Sequence, residues 1–242
     1  MSIKLIRVFF FSLILTTVLF GCVKKDPISS ISQVLLVPLS PNATATDFSI
    51  NGNIVATAVG YSTTVGTIRY TLPYYTIVPP KSVETNIAYN NNGFSSTKAT
   101  VSRVFEDDKV YSTFLIDSAS KAKAVIVNDD LTDPTGGKVK VRFFHFSPNT
   151  VPIDVVIQGT ATKVFSARSF NDQAANKTLE KFIEIEPGTY TFLFNNATTG
   201  ATLYTTSAQI LLTDRIYTIA ARGFTGGAGS QALGAWVYPN KP

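Results

Sequence analysis

Val139-Lys140-Val141-Arg142-Phe143-Phe144-His145-Phe146-Ser147-Pro148-Asn149, followed by Ile153-Asp154-Val155-Val156-Ile157-Gln158-Gly159, is the stretch on which the fold turns, because its second part, from Ser147 onward, recurs earlier in the chain. At an offset of 107 residues, Ser40-Pro41-Asn42 matches Ser147-Pro148-Asn149. The same offset pairs Asp47 with Asp154, Ile50 with Ile157 and Gly52 with Gly159. Chance supplies about one identity in twenty positions, so this agreement over a short window marks an internal repeat. Pro80 with Pro187, and Asp108-Lys109-Val110-Tyr111 with Asp214-Arg215-Ile216-Tyr217, keep the same order further along.

Each copy reads as strands. Val139 to Phe146, Ile153 to Ile157, Lys163 to Phe165, Leu179 to Ile185, Thr189 to Phe194, Ala201 to Ile210, Ile216 to Ala221 and Ala232 to Tyr238 are short segments rich in β-branched and aromatic residues. Pro187-Gly188, Asn195-Asn196, Thr213-Asp214 and Gly226-Gly227 break them. The first copy is noisier, with strands expected over Val34 to Leu39, Asp47 to Ile50, Ile54 to Ala58, Thr67 to Leu72, Tyr74 to Val78, Val83 to Tyr89, Ser102 to Phe105, Val110 to Ile116 and Ala124 to Val127. The imperfect alternation in Phe182-Ile183-Glu184-Ile185 and Tyr190-Thr191-Phe192-Leu193-Phe194 predicts strands buried on both faces there. The fold class is therefore all-β, as two tandem antiparallel sandwiches of the immunoglobulin-like or transthyretin-like kind.

The ends and joints follow. Residues 1–21 read as a signal peptide: Lys4 and Arg7 precede an apolar core from Val8 to Phe20, shorter than the roughly 20 residues a spanning helix needs. Leu19-Phe20-Gly21-Cys22 resembles the lipobox of bacterial lipoproteins, which implies cleavage before Cys22 and lipidation of its thiol. Residues 22–32 form a tether, 33–128 the first sandwich, 129–138 a polar linker and 139–242 the second sandwich. Val23 follows the cysteine where an Asp would signal inner-membrane retention, so an outer-membrane lipoprotein is expected, on its periplasmic or cell-surface face. The partner so implied is the membrane, reached through the N-terminal lipid.

Loss of Lys4 and Arg7 with the leader takes the formal charge from +5 to +3. The basic residues are scattered, which argues against nucleic-acid binding. With Cys22 the sole cysteine, no intrachain disulfide forms, and stability must come from packing.

Val141-Arg142-Phe143-Phe144-His145-Phe146-Ser147-Pro148 with Pro152-Ile153-Asp154-Val155 resembles the opening strands of a family classed among domains of unknown function, found in bacterial secreted proteins and lipoproteins, often as tandem copies. The pattern there is V-R-F-x-H-x-S-P followed by x-D-V and a glycine turn. Glu186-Pro187-Gly188-Thr189-Tyr190 is similar to the Pro-Gly-x-Tyr corner of that family. The resemblance covers 139–242 most fully and 33–128 more weakly, where Leu35-Leu36-Val37-Pro38 replace Arg142-Phe143-Phe144-His145. It implies architecture and location and lends no catalytic residue.

His145, the sole histidine, sits in an aromatic strand, and no G-x-S-x-G accompanies it, so a hydrogen-bonded structural histidine is expected. Asp47 and Asp154 are read as carboxylates accepting N–H bonds from the Ser-Pro-Asn loops rather than as ligand contacts. Asn128, Asp129, Asp130 and Asp133 could gather calcium, but their order misses the EF-hand pattern, and a solvated linker is expected. Tyr61, Tyr70, Tyr74, Tyr75, Tyr89, Phe94 and Trp236 are the aromatic residues able to present faces to a sugar or peptide, though most should fill cores. Gly223 to Gly229 precedes no helix and does not read as a phosphate cradle. No catalytic residue, metal or cofactor is assigned. The expectation is a lipid-anchored, non-enzymatic envelope protein, a binding or structural module with a protein or glycan partner. Surface glycan binding is the alternative, ahead of hydrolysis.

Overall fold

The computed structural model describes residues 32–43, 45–61, 76–78, 85–91 and 96–241. The signal peptide, Cys22 and nearly all of the tether lie outside these residues, as does the strand expected over Thr67 to Leu72. In the first unit the strands are β1 (Ser32–Pro38), β2 (Thr46–Ile50), β3 (Asn53–Val59), β4 (Thr76–Val78), β5 (Thr85–Asn91), β6 (Thr97–Arg103), β7 (Val110–Ile116) and β8 (Lys123–Asp129). The second has β9 (Val139–His145), β10 (Ile153–Ile157), β11 (Lys163–Arg168), β12 (Ile183–Ile185), β13 (Gly188–Tyr190), β14 (Phe192–Asn196), β15 (Thr202–Thr205), β16 (Gln209–Leu211), β17 (Ile216–Arg222) and β18 (Gly234–Lys241).

Strand order shows the duplication in three dimensions. Sheets ordered β4-β1-β7-β8 and β3-β2-β5-β6 make the first sandwich, and sheets ordered β12-β9-β17-β18 and β11-β10-β14-β15 repeat that order in the second. The second unit adds the small pair β13-β16. The sheets are not wholly antiparallel as expected: β1 pairs parallel with β7, and β9 with β17. Parallel neighbours need a long crossover. Here the chain makes it by passing through the opposite sheet before returning beside its first strand.

Local devices recur with the strands. Tyr111 Oη accepts the Glu106 N–H at 3.1 Å, and Tyr217 Oη accepts the Leu212 N–H at 3.2 Å. Each is a tyrosine corner closing the turn before its strand. In those turns Asp108 and Asp214 adopt left-handed φ values of 56° and 59°, a conformation short polar side chains tolerate better than most.

Among the described residues, three apolar clusters separate the four four-stranded sheets. Val34, Phe48, Ile87, Tyr89, Tyr111 and Leu115 fill the first sandwich, with Tyr89 Oη donating to Thr113 Oγ1 at 2.9 Å. Val141, Phe143, Val155, Phe192, Phe194 and Ile219 fill the second. The third cluster lies between the two inner sheets: Leu35, Val37, Phe114, Ile116 and Val127 of the first unit meet Phe144, Phe146, Ala220 and Tyr238 of the second. Phe114 sits 5.7 Å from Phe144 and 5.0 Å from Phe146 between ring centroids. Successive side chains of a strand point to opposite faces, so β7 and β9 each serve two cores, which accounts for the burial of all but one residue in each. Burial on both faces thus falls on these inner strands. β12, where it was expected, lies at a sheet edge with Ile183 39% exposed.

Two predicted segments divide. Leu179 to Ile185 opens with a 3-10 turn over Lys177–Glu180, because the Asn176 side chain accepts the Thr178 N–H at 3.1 Å and holds the chain out of the sheet. Ala201 to Ile210 becomes β15 and β16. At the break, Thr206 exchanges bonds with Phe192: its N–H donates to the Phe192 carbonyl, and its hydroxyl accepts the Phe192 N–H, both at 2.9 Å.

Candidate functional site

Most of the polar residues singled out in the sequence hold backbone in place. The Ser-Pro-Asn loops do the same work in both units. Asn42 Oδ1 accepts the Ala119 N–H at 2.8 Å, and Asn149 Oδ1 accepts the Thr225 N–H at 2.9 Å. Ser147 Oγ donates to the Gly223 carbonyl at 2.7 Å. Each motif therefore ties the loop after a unit's first strand to the loop after its penultimate strand.

Asp47 and Asp154 are repeated supports, but not for the loops expected. Asp47 Oδ1 accepts the Ala58 N–H at 2.6 Å, and Asp154 Oδ1 accepts the Ala167 N–H at 2.7 Å. Ala58 and Ala167 carry φ values of 53° and 47°, at bulges where β3 and β11 slip register against β2 and β10. A bulge leaves an N–H outside the ladder, and the carboxylate accepts it. Asp154 also meets Lys163 Nζ at 2.7 Å. Burial raises its carboxyl, but the Lys163 and Ala167 bonds and the Lys163 charge outweigh that and leave it below the ordinary value. The two aspartates lie in different sandwiches, on β2 and β10.

His145 is fully buried, with Nε2–H donating to the Val151 carbonyl at 3.2 Å. Burial lowers its pKa, and the Val151 bond restores only part of the loss.

The linker is not simply solvated. Asp129 ends β8, and its side chain is wholly buried against that of Arg142. Arg142 donates through Nη2 to Asp129 Oδ1, through Nη1 to the Asn128 carbonyl at 3.0 Å and through Nε to Thr218 Oγ1 at 2.8 Å. Ser112 Oγ and Asn240 Nδ2 donate to Asp129 Oδ2 at 2.6 and 3.3 Å. The guanidinium lies 4.7 Å from the Phe144 ring and 4.4 Å from that of Phe182. A buried charge demands a partner, so an arginine within an apolar strand was the available signal for this pair. Asp130 bonds Thr132 and lies 3.8 Å from Lys140. No grouping of three or more acidic, histidine or cysteine side chains suited to a metal occurs among the described residues.

The aromatic candidates divide as follows. Tyr89 is core. Trp236 stacks on Tyr238 at 4.1 Å beside the central cluster. Tyr61 Oη accepts from Arg222 Nη1 at 3.0 Å, and its hydroxyl pKa is raised because burial outweighs the pull of that cation. Tyr70, Tyr74, Tyr75 and Phe94 lie outside the described residues.

A cleft of about 590 Å³ opens where the two units meet, lined from β6, the end of β8, β9 and the segment preceding β12. Sequence reading missed it because its residues, from Arg103 to Phe182, converge only through the stacking of the inner sheets.

Fold and polar framework define a tandem β-sandwich protein whose repeated motifs are structural fasteners. The chain belongs to the family described as Domain of unknown function (DUF4397), whose model matches residues 32–156, from β1 through nearly all of β10. The match thus lies on the first unit and the opening of the second, not chiefly on 139–242 as expected. No curated protein matches the chain. Among solved structures, it is similar to the crystal structure of CBMbc (family CBM26) from Eubacterium rectale Amy13K in complex with maltoheptaose, at 10% identity and a TM-score of 0.24, covering 88% of this chain and 98% of that one. A structure titled alpha-glucan binding by a streptococcal virulence factor gives 13% identity and a TM-score of 0.27, covering 87% and 97%. At such scores what those proteins bind says nothing of this one.

Proposed function

We propose that this is a lipid-anchored, non-enzymatic protein of the bacterial outer membrane, a rigid binding or structural module held off the membrane by residues 22–32. The carrying observation is the join between the sandwiches. An aromatic core and a buried Arg142–Asp129 pair bind the inner sheets face to face, where a flexible tandem array would leave them exposed. Inter-domain motion is the default for small polar interfaces, and this interface is apolar and continuous. The anchor rests on Leu19-Phe20-Gly21-Cys22 and on the basic, apolar leader before it. No helix among the described residues is long and apolar enough to cross a membrane.

The test is Cys22→Ser with labelled palmitate in a bacterial host. Wild-type protein should take up the label and fractionate with the outer membrane, and the variant should do neither. Label entering the serine variant would overturn the anchor.

A further inference from the structure

We propose that the cleft between the sandwiches binds an acidic saccharide, a sugar chain carrying carboxylate groups. This rests on the reading of the protein as a binding module and names the ligand class.

The charge balance comes first. Four cations line the cleft, and two are already answered: Lys177 pairs with Glu180 at 2.7 Å, and Lys140 with Asp130 at 3.8 Å. Arg103 and Lys181 pair with no carboxylate among the described residues. Arg103 comes from β6 of the first unit, with its guanidinium 4.7 Å above the Tyr111 ring, and Lys181 from the second unit, so the excess charge faces the gap from both sides. Two unanswered cations across a concave surface focus an attractive field on an anion.

The remaining lining favours a sugar over a bare anion. Asn128 spends its carbonyl on Arg142, while its side-chain amide makes no hydrogen bond among the described residues, leaving a donor and an acceptor at the mouth. Asp130 and Glu180 are carboxylates, which accept bonds from hydroxyl groups of the kind a sugar chain carries in number. The half-buried Phe182 ring adds apolar surface to the wall, as a pyranose ring requires. A neutral sugar would leave Arg103 and Lys181 unanswered; a carboxylate on the chain answers them. The volume is within the range of small-ligand sites. Because the lining comes from both units, the site exists only while the inner sheets stay stacked.

The experiment is titration calorimetry on the full chain in detergent micelles, with tetragalacturonate as probe and maltotetraose, inorganic phosphate and tetraglutamate as comparisons. Tetragalacturonate should bind, weaken as salt is raised, and lose about tenfold or more in affinity in Arg103→Gln/Lys181→Gln, since a charge-assisted bond is lost at each position. Lys181→Glu alone, at an exposed residue, should show the same direction with an unchanged melting temperature, which keeps the test valid if the double variant folds poorly. Absence of binding by the wild type, or unchanged affinity in Lys181→Glu, overturns the site and leaves the non-enzymatic reading standing. Equal binding of phosphate or tetraglutamate also overturns it, by showing a generic basic patch. Release of shorter uronides during the titration would support the site and overturn the non-enzymatic reading.

Discussion

Arg142→Met should cost about 3 to 5 kcal/mol of stability, the penalty for removing one partner of a buried ion pair. Arg142 and Asp129 both have fully buried side chains, and no solvent can replace the guanidinium. The substitution removes the cation facing the buried Asp129 carboxylate and leaves it the neutral donors Ser112 and Asn240. It also empties the Asn128 carbonyl and removes a donor from Thr218. Trp236 is the sole tryptophan, and it packs against the central cluster, so its fluorescence during urea unfolding reports on this joint. With a urea dependence of about 3 kcal/mol per molar, the midpoint should fall by roughly 1 to 1.7 M. Arg142→Met with Asp129→Leu should recover most of the loss, because an apolar pair needs no desolvation of charge. A single-variant loss below about 1 kcal/mol, or a double variant as unstable as the sum of the two singles, would refute the assignment of the pair as the polar centre of the joint.

Three further outcomes follow from the same framework. Asp154→Ala should cost about 1 to 3 kcal/mol by orphaning the Ala167 N–H, and Asp154→Asn distinctly less. Because the folded carboxyl is held below its unfolded value of about 3.9, its contribution is complete above that pH and is lost as acid is added. Urea melts in acid should therefore converge for wild type and Asp154→Ala. His145→Ala should lower stability by about 1 to 3 kcal/mol while leaving ligand affinity unchanged, and an unchanged melt would count against the buried hydrogen-bonded role. The histidine pKa is depressed in the fold. Wild-type stability should therefore fall as pH drops below about 6.5, and the variant should lose that slope. Residues 135–242 produced alone would bare Phe144, Phe146, Ala220 and Tyr238, and should self-associate in sedimentation; a well-behaved monomer would argue that the central cluster is dispensable.

The repeat in the sequence foretold the duplicated strand order, because Ser-Pro-Asn, the bulge aspartates and the tyrosine corners each find their partners within their own unit and at corresponding places in both. It assigned the aspartates to the wrong N–H groups, since a bulge between adjacent strands leaves no periodic mark that separates it from a loop. His145 as a bonded structural residue was legible from its setting in an aromatic strand, whereas nothing in the sequence separated Tyr89, which is core, from the other aromatic candidates. The cleft was not, for its cations look like scattered surface charge until β6, β8 and β9 converge.

Composition and periodicity determined an all-β chain, and the internal repeat its two copies, because side-chain alternation, turn residues and repeated motifs are all written along the backbone. What covers the second face of an inner strand is a property of contacts between units. Leu35 and Phe114 fall within strands the sequence predicts, but only tertiary structure decided that they face Phe144 and Phe146 rather than water. Only there, too, does Arg142 become the charge that a buried Asp129 requires.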